Sequence, residues 1–183
     1  ILIHYRYTDK EITELLKHLT IIMDTREKES LHILQYFNKK NIPYKIRKLD
    51  VGDYSMMIPY NEETAKLGVP RDLYFDSFIE RKNGVDEIIG NLVRNNGTTF
   101  ENELIRAKGK DFVLFVEDLN FNRKVALGEY ISKYDKKALK GRIESLKAKY
   151  KFEICQIDKE MMGFEIYERF KQRAKYFLKN GTF

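Results

Sequence analysis

The stretch FVLFVE, residues 112–117, is the sequence feature that most limits how this chain folds. An uninterrupted short apolar run predicts a strand that is buried on both faces, and such strands belong to sheets covered by helices. Shorter apolar runs at residues 19–23 and 152–157 lie between segments with apolar residues at helical spacing. Strands interspersed with helices predict an α/β domain with a central mixed sheet flanked by helices on both sides.

The remaining pattern assigns most of the chain to helices and strands. Thr8 and Glu11 form a T-x-x-E capping box, so residues 1–19 are interpreted as an N-terminal helical extension and 20–178 as the core of one domain, 1–183. Residues 59–71 contain Gly, Pro and polar residues and are interpreted as a loop. We expect further helices at 30–40, 86–94, 100–108, 139–150 and 167–177, and further strands at 42–46, 54–58 and 73–82.

Length and composition indicate the cellular compartment in which this protein is expected. A chain of 183 residues suits one domain with a sizeable core. No apolar run approaches the ~20 residues of a membrane helix, and the first residues lack a signal-peptide pattern. The single cysteine, Cys155, excludes an internal disulfide and fits a reducing compartment. We therefore expect a cytoplasmic protein without a membrane partner.

Positive charge is concentrated in one segment. The net charge is +6, and residues 133–151 hold eight lysines and arginines against two acids. This segment is either the solvated face of a helix or a surface that contacts phosphates. In the second interpretation Lys136, Lys137 and Lys140 are the candidate contacts. The three histidines show no metal-ligand spacing, which argues against zinc.

The segment FIERK, residues 78–82, places charged groups in a strand. Side chains alternate along a strand, so Glu80 and Lys82 point to one face and Arg81 to the other. Asp53 follows Gly52 at the mouth of the preceding strand. If these two strands pair, Asp53 approaches Glu80.

Two neighbouring carboxylates repel unless a cation lies between them. Oxygen ligands without His or Cys favour Mg²⁺ or Mn²⁺, and such a site suits phosphodiester hydrolysis. Lys82 would orient the attacking water or offset charge in the transition state. The competing interpretation is a strand end whose charges face water. Asp135-Lys136-Lys137 also fits the [DE]-x-K pattern, but Asp135 is predicted to begin a helix and is interpreted as surface.

Four segments together resemble one known family. These are MDTREK at 23–28, LDVGDY at 49–54, IERKNGVDEI at 79–88 and FVLFVED at 112–118. They resemble, in order and spacing, the D-x-R-E, G-D-Y and E-R-K-x-x-x-D motifs and the following buried strand of the XPF-type nuclease domain, the excision-repair cross-complementation family. The likeness spans residues 20–177 and is strongest to the short members carried by bacteriophages.

This resemblance implies a restriction-endonuclease-like, PD-(D/E)xK, core. It implies an Mg²⁺- or Mn²⁺-dependent endodeoxyribonuclease that cuts branched DNA, such as flaps, forks, bubbles or junctions, in DNA repair or recombination. By the same resemblance Asp53 and Glu80 are metal ligands and Lys82 is the catalytic lysine. Asp24 completes the acidic cluster. Arg26, Arg81 and Asp86 match further functional positions of the motifs.

Several of these residues keep a second interpretation. Asp24 ends a predicted strand, and it is also placed to cap the helix that follows. Arg26 either pairs with Glu27 or binds a phosphate. Arg81 is expected to anchor the sheet or to pair with an acid such as Asp86, which alternatively caps the helix that it begins.

The expected binding partners depend on a DNA-binding motif that the sequence does not show. We find no helix-hairpin-helix signature in these 183 residues. Junction recognition would then come from the core, from a homodimer face or from another protein, and the resemblance favours a homodimer in a bacterial or phage-infected cytoplasm. The alternatives are a catalytically silent DNA-binding or scaffolding subunit, and a restriction-type or junction-resolving nuclease. The intact acids and lysine favour an active enzyme.

Overall fold

The computed structural model describes residues 6–181, which divide into two compact units. Within that range, unit 1 comprises residues 6–49, 53–77 and 163–181, and unit 2 comprises Asp50–Gly52 and Phe78–Met162. Within residues 6–181 there is no helix of the length and apolar character needed to cross a bilayer.

Unit 1 contains a mixed group of strands with β1 (Thr20–Met23) at its centre. Strand β2 (Tyr44–Ile46) runs parallel to β1, and β3 (Tyr54–Ile58) runs antiparallel to it with Met23 opposite Tyr54. The short β4 (Leu73–Tyr74) pairs antiparallel with β3. Strands β1 and β3 are buried along their whole length, as their apolar sequences require.

Helices complete unit 1. The capping box predicted at Thr8 is present, with the hydroxyl accepting from the backbone N–H of Glu11 and the Glu11 carboxylate accepting from Thr8. The helices assigned to this unit are α1 (Asp9–Leu16), α2 (Leu31–Lys39), α3 (Glu62–Lys66) and α8 (Met162–Asn180), the last beginning at the unit boundary.

Unit 2 contains the strand order β5-β6-β7 with helices packed on it. Its strands are β5 (Ser77–Lys82), β6 (Asp111–Val116) and β7 (Glu153–Gln156), and β6 and β7 are parallel. Its helices are α4 (Val85–Val93), α5 (Thr98–Arg106), α6 (Phe121–Leu127) and α7 (Lys136–Tyr150), with 3-10 turns at Arg94–Gly97 and Lys159–Met161. One apolar cluster joins the helices to β6 through residues such as Leu92, Val116 and Ile143.

Two local predictions were wrong, and one helix was missed. Residues 59–71, expected to be a loop, contain α3, because the Asn61 side chain caps its first turn. The strand expected at 73–82 is divided into β4 and β5. Between them lies Phe75, whose ring stacks on that of Phe177 with centroids 5.9 Å apart. Helix α6 was not expected, because its seven residues are too few to show a clear period.

Candidate functional site

Glu80 and Lys82 form a buried ion pair on β5. The Lys82 Nζ donates to Glu80 Oε1 at 2.6 Å, and the Lys82 and Glu80 side chains are 8% and 7% exposed. The period of two along the strand puts them on one face, as the sequence predicted. Charges that simply faced water would be exposed, so the competing interpretation of a solvated strand end is wrong.

Glu87, which the sequence reasoning overlooked, lies beside the same lysine. Its Oε1 is 3.8 Å from Lys82 Nζ, and its Oε2 accepts from the backbone N–H of Asn83 at 2.7 Å. Glu87 is the third residue of α4, where a glutamate commonly reaches back to cap the helix. The position of Glu87 in the first turn of the predicted helix was the one sequence feature that pointed to this contact. Lys82 therefore lies between two carboxylates.

Arg81 makes different contacts from those of its two neighbours. Its Nη1 donates to Glu117 Oε2 at 2.6 Å and to Asn83 Oδ1 at 2.7 Å. Arg81 and Glu117 are 4% and 3% exposed. The backbone N–H of Glu117 also donates to the Lys82 carbonyl at 2.8 Å. Arg81 thus ties β5 to the end of β6, which fits the predicted anchoring role, but its acid is Glu117 and not Asp86.

Asp86 holds a distant loop. Its Oδ1 accepts from the backbone N–H groups of Ile131 and Ser132 at 3.0 and 3.2 Å. The helix begins at Val85 with Gly84 as its N-cap, so Asp86 lies two positions too late to cap it. Both roles considered for Asp86, pairing with Arg81 and capping α4, are therefore wrong.

In unit 1, the carboxylate of Asp24 is buried and accepts several hydrogen bonds. Its residue exposure is 1%. Oδ1 accepts from the Arg26 backbone N–H at 2.8 Å and from Arg26 Nε at 2.7 Å. Oδ2 accepts from the Leu49 backbone N–H at 2.6 Å and from Arg26 Nη2 at 3.3 Å. Four donors occupy the lone-pair sites of this carboxylate.

These contacts set the charge of Asp24. Burial alone would raise its pKa, but the hydrogen bonds from the Arg26 side chain and from the Leu49 and Arg26 backbones outweigh burial and lower the pKa. Asp24 is therefore ionised. Helix α2 begins after Ser30, so the interpretation of Asp24 as its cap is wrong. The interpretation of Arg26 as a partner of Glu27 overlooked Asp24, which sits two residues from Arg26.

Asp53 stands opposite Asp24 in unit 1. The backbone N–H of Asp24 donates to the Asp53 carbonyl at 2.7 Å, which continues the β1–β3 ladder by one residue. Gly52, the residue before Asp53, has a φ of +66°. A Cβ at Gly52 would lie 2.9 Å from the carbonyl oxygen of Ile79, within unit 2. Glycine is therefore required at this turn.

The donor set suits a hard cation of the Mg²⁺ type. Among residues 6–181 no group of three or more His, Cys, Asp or Glu side chains gathers in a form that would hold a metal ion. Mg²⁺, however, commonly uses one or two protein carboxylates together with water and phosphate oxygens. Within this described range Lys82 is the hydrogen-bond partner of Glu80, and Glu80 Oε2 accepts no hydrogen bond. A carboxylate oxygen that accepts no hydrogen bond suits Mg²⁺ or Mn²⁺.

The basic segment is a helix with exposed lysines. Asp135 is the N-cap of α7, and its carboxylate accepts from the Ala138 N–H at 2.8 Å, so the prediction that Asp135 begins a helix is confirmed. Lys136 and Lys137 are exposed, and in the described part of the chain neither has an ion pair. Lys140 pairs with Glu144 at 2.9 Å.

Comparisons with known proteins gave one matching family model and similar solved structures. The family model described as the ERCC4 domain matches residues 23–170. A comparison with curated proteins found no match. Among solved structures, XPF from Aeropyrum pernix resembles the chain with a TM-score of 0.57 at 17% identity, over 84% of this chain and 61% of that one. XPF from Aeropyrum pernix in complex with DNA gives a TM-score of 0.56 at 16% identity, over 86% and 65%.

These structural matches confirm the predicted fold, a mixed α/β core of the restriction-endonuclease-like type. The chain spans somewhat less than two thirds of the length of the XPF chains that it matches. At identities of 16 and 17% the likeness concerns the fold, and the chemistry has to be argued from the residues themselves.

Proposed function

We propose, from the premise that this chain belongs to the ERCC4 domain family, that it is a metal-dependent, structure-specific DNA endonuclease. Its reaction would be hydrolysis of a phosphodiester bond in branched DNA, such as a flap, fork, bubble or junction. We also propose that it belongs with the short, bacteriophage-borne members of this family.

One observation carries the proposal. Glu80 and Lys82 form a 2.6 Å pair that is largely shielded from water on one face of β5. Burying a charged pair costs several kcal/mol of desolvation per ion, so such pairs are weak devices for stability alone. A buried carboxylate with one oxygen left for a cation, next to an ammonium group, suits catalysis on a phosphate.

The metal would be held by Asp53 and Glu80. When bound, Mg²⁺ or Mn²⁺ would polarise the scissile phosphate and lower the pKa of a coordinated water. Glu80 offers Oε2, since Lys82 already occupies Oε1. Asp24 joins as a ligand only when Arg26 releases it, because Arg26 and Leu49 fill its lone pairs. Release is feasible because the Arg26 side chain is 65% exposed.

Lys82 would act on the reacting phosphate. Its ammonium group is compact and has three donors, so it can keep Glu80 and still orient a water or a phosphate oxygen. Glu87, with Oε1 3.8 Å from Nζ, places a second carboxylate beside this lysine. We assign Lys82 to stabilising charge that develops on the phosphate, and Arg81 and Asp86 to positioning β5 and the loop at Ile131.

DNA is the proposed partner. The XPF structure in complex with DNA supports this assignment, as does the net charge of +6. We assign phosphate contacts to Lys136, Lys137 and Lys140 on the exposed side of α7. We further propose a homodimer, with junction recognition shared between its two copies or supplied by another protein. Sedimentation analysis with and without a fork substrate tests this assembly.

A substrate panel tests the function. Fluorescent flap, fork, bubble, junction and plain duplex DNA are incubated with the protein in Mg²⁺, in Mn²⁺ and in EDTA. We expect cutting of branched substrates with either metal and none in EDTA. Binding without cutting in any metal would instead identify a silent DNA-binding or scaffolding subunit. Cutting of plain duplex at the rate of branched DNA would identify a restriction-type enzyme.

A further inference from the structure

A pocket of about 330 Å³ lies in unit 2, at the amino ends of β6 and β7. Its floor is apolar and includes the buried side chains of Leu104, Phe112 and Phe152. Lys82 lies at the opposite, carboxyl end of β6. Its carbonyl there accepts a hydrogen bond from the backbone N–H of Glu117, the residue that follows β6. The pocket is therefore separate from the Glu80–Lys82 pair.

The rim of this pocket is cationic. Lys108 and Lys151 line it and are exposed, and within residues 6–181 neither has an ion pair. Lys149 also lines it, but its charge is matched by Glu101, with Nζ 2.6 Å from Oε1. The Tyr150 hydroxyl donates to the same carboxylate oxygen. Lys110, the fourth lysine of the lining, lies over the Phe78 ring with Nζ 5.5 Å from the ring centroid. The charges of Lys108 and Lys151 thus remain for a ligand.

The floor and the rim together define the ligand. A free phosphate would satisfy the lysines but would leave the apolar part of the pocket unfilled. A neutral apolar ligand would fill the floor but would not use the charges. An unpaired nucleotide offers both a phosphate and a base with an apolar face, and proteins that bind single strands combine cationic grooves with aromatic side chains in this way. In a duplex the base is stacked and unable to enter.

We propose that this pocket binds one unpaired nucleotide of a DNA strand. The phosphate lies between Lys108 and Lys151, and the base enters the pocket beside Phe112 and Phe152. The inference rests on the proposed function and deepens it, because branched DNA differs from plain duplex in having unpaired nucleotides. The pocket then gives unit 2 its own means of distinguishing the two.

Binding of a labelled oligothymidylate, followed by fluorescence anisotropy in EDTA over a range of salt, tests this inference. The variant is Lys108→Gln with Lys151→Gln, which keeps much of the side-chain length and removes both charges. The matched control is Lys39→Gln with Lys40→Gln, two exposed lysines of unit 1 that have no ion pair in the described part of the chain. We expect weaker binding and a log–log salt slope reduced by about 0.7, the value for one phosphate that is no longer neutralised on a single strand. The control should match the wild type.

A second readout reports on the pocket itself. The sequence contains no tryptophan, so Tyr150→Trp introduces a single reporter on the pocket wall. Oligothymidylate should quench its fluorescence, whereas inorganic phosphate and a blunt duplex should not. Quenching by phosphate alone would overturn the proposal in favour of a site for free anions. Equal quenching by the blunt duplex, or unchanged affinity in the Lys108/Lys151 variant, would also overturn it.

The same preparations separate this inference from the endonuclease proposal. Cutting of a flap in Mg²⁺ with normal oligothymidylate binding by the Lys108/Lys151 variant would overturn only the pocket. Loss of oligothymidylate binding in that variant, with no substrate cut by the wild type, would support the pocket and contradict the endonuclease.

Discussion

The backbone N–H of Asp24 donates a 2.7 Å hydrogen bond to the carbonyl oxygen of Asp53. Strands β1 and β3 pair with Met23 opposite Tyr54, so the next step along the ladder places the two aspartates opposite each other. Residues directly opposite in antiparallel strands hold their Cβ atoms about 5 Å apart. Two of the acids predicted from separate motifs are thus neighbours in unit 1.

Asp24 should contribute to stability in a pH-dependent way. Because its pKa is lowered in the folded state, its contribution is present above the ordinary value of 3.8 and is lost as pH falls through the folded value. Asp24→Asn should reduce the free energy of unfolding at neutral pH by about 1–3 kcal/mol, since a buried donor loses its partner. Urea unfolding at neutral and acidic pH measures the gap between variant and wild type. A gap that does not narrow in acid would contradict the account.

Gly52 should be intolerant of a side chain for two reasons. Its φ is positive, and a Cβ would lie 2.9 Å from the Ile79 carbonyl oxygen. Gly109 has a φ of +82° with no atom within 4 Å of such a Cβ, so Gly109→Ala is the matched control. Gly109→Ala should cost about 1 kcal/mol in unfolding free energy. Gly52→Ala should cost at least about 1 kcal/mol more and slow cleavage, because Asp53 is the next residue. Equal losses would show that the close approach to β5 does not matter.

The Glu80–Lys82 pair should show strong coupling. Lys82→Met leaves a buried carboxylate without its partner and should destabilise the protein by about 3–5 kcal/mol. Adding Glu80→Gln removes that charge, so the double variant should recover much of this loss while remaining inactive. A double-mutant cycle by chemical unfolding measures the coupling. Losses that simply add would mean that the two side chains do not depend on each other.

The sequence was informative where the relevant residues are close together in the chain. Glu80 and Lys82 are two residues apart, so the strand period alone predicted that they meet. Strands β1 and β6 were predicted because each is a short apolar run. The partner of Arg81 was not predicted, because Glu117 is 36 residues away and only the pairing of β5 with the end of β6 brings it near.

Hydrogen bonds that carboxylates accept from distant backbone N–H groups could not be predicted from the sequence either. Asp24 binds the N–H of Leu49, and Asp86 binds those of Ile131 and Ser132. An N–H group carries no side-chain identity, so no residue pattern marks it as a partner. A carboxylate with such partners looks, in sequence, the same as a helix cap or a metal ligand.

The lysines of α7 should contribute to binding of DNA through charge. Reversal of Lys136, Lys137 and Lys140 to glutamate should weaken binding of duplex DNA and reduce the log–log salt slope by about 0.9 for each phosphate that is no longer neutralised. Reversal of Lys39, Lys40 and Lys45, also exposed and without ion pairs in the described part of the chain, is the control. An unchanged slope would return this face of α7 to ordinary solvated surface.

The most direct test of the central claim is the cleavage rate of a fluorescent flap in Mg²⁺ by Asp53→Ala and Glu80→Ala, with binding of Mn²⁺ and of DNA measured on the same preparations. We predict that each variant loses cleavage and Mn²⁺ affinity while binding DNA nearly as tightly as the wild type. Cutting at the wild-type rate by either variant would contradict the assignment of that carboxylate to the metal.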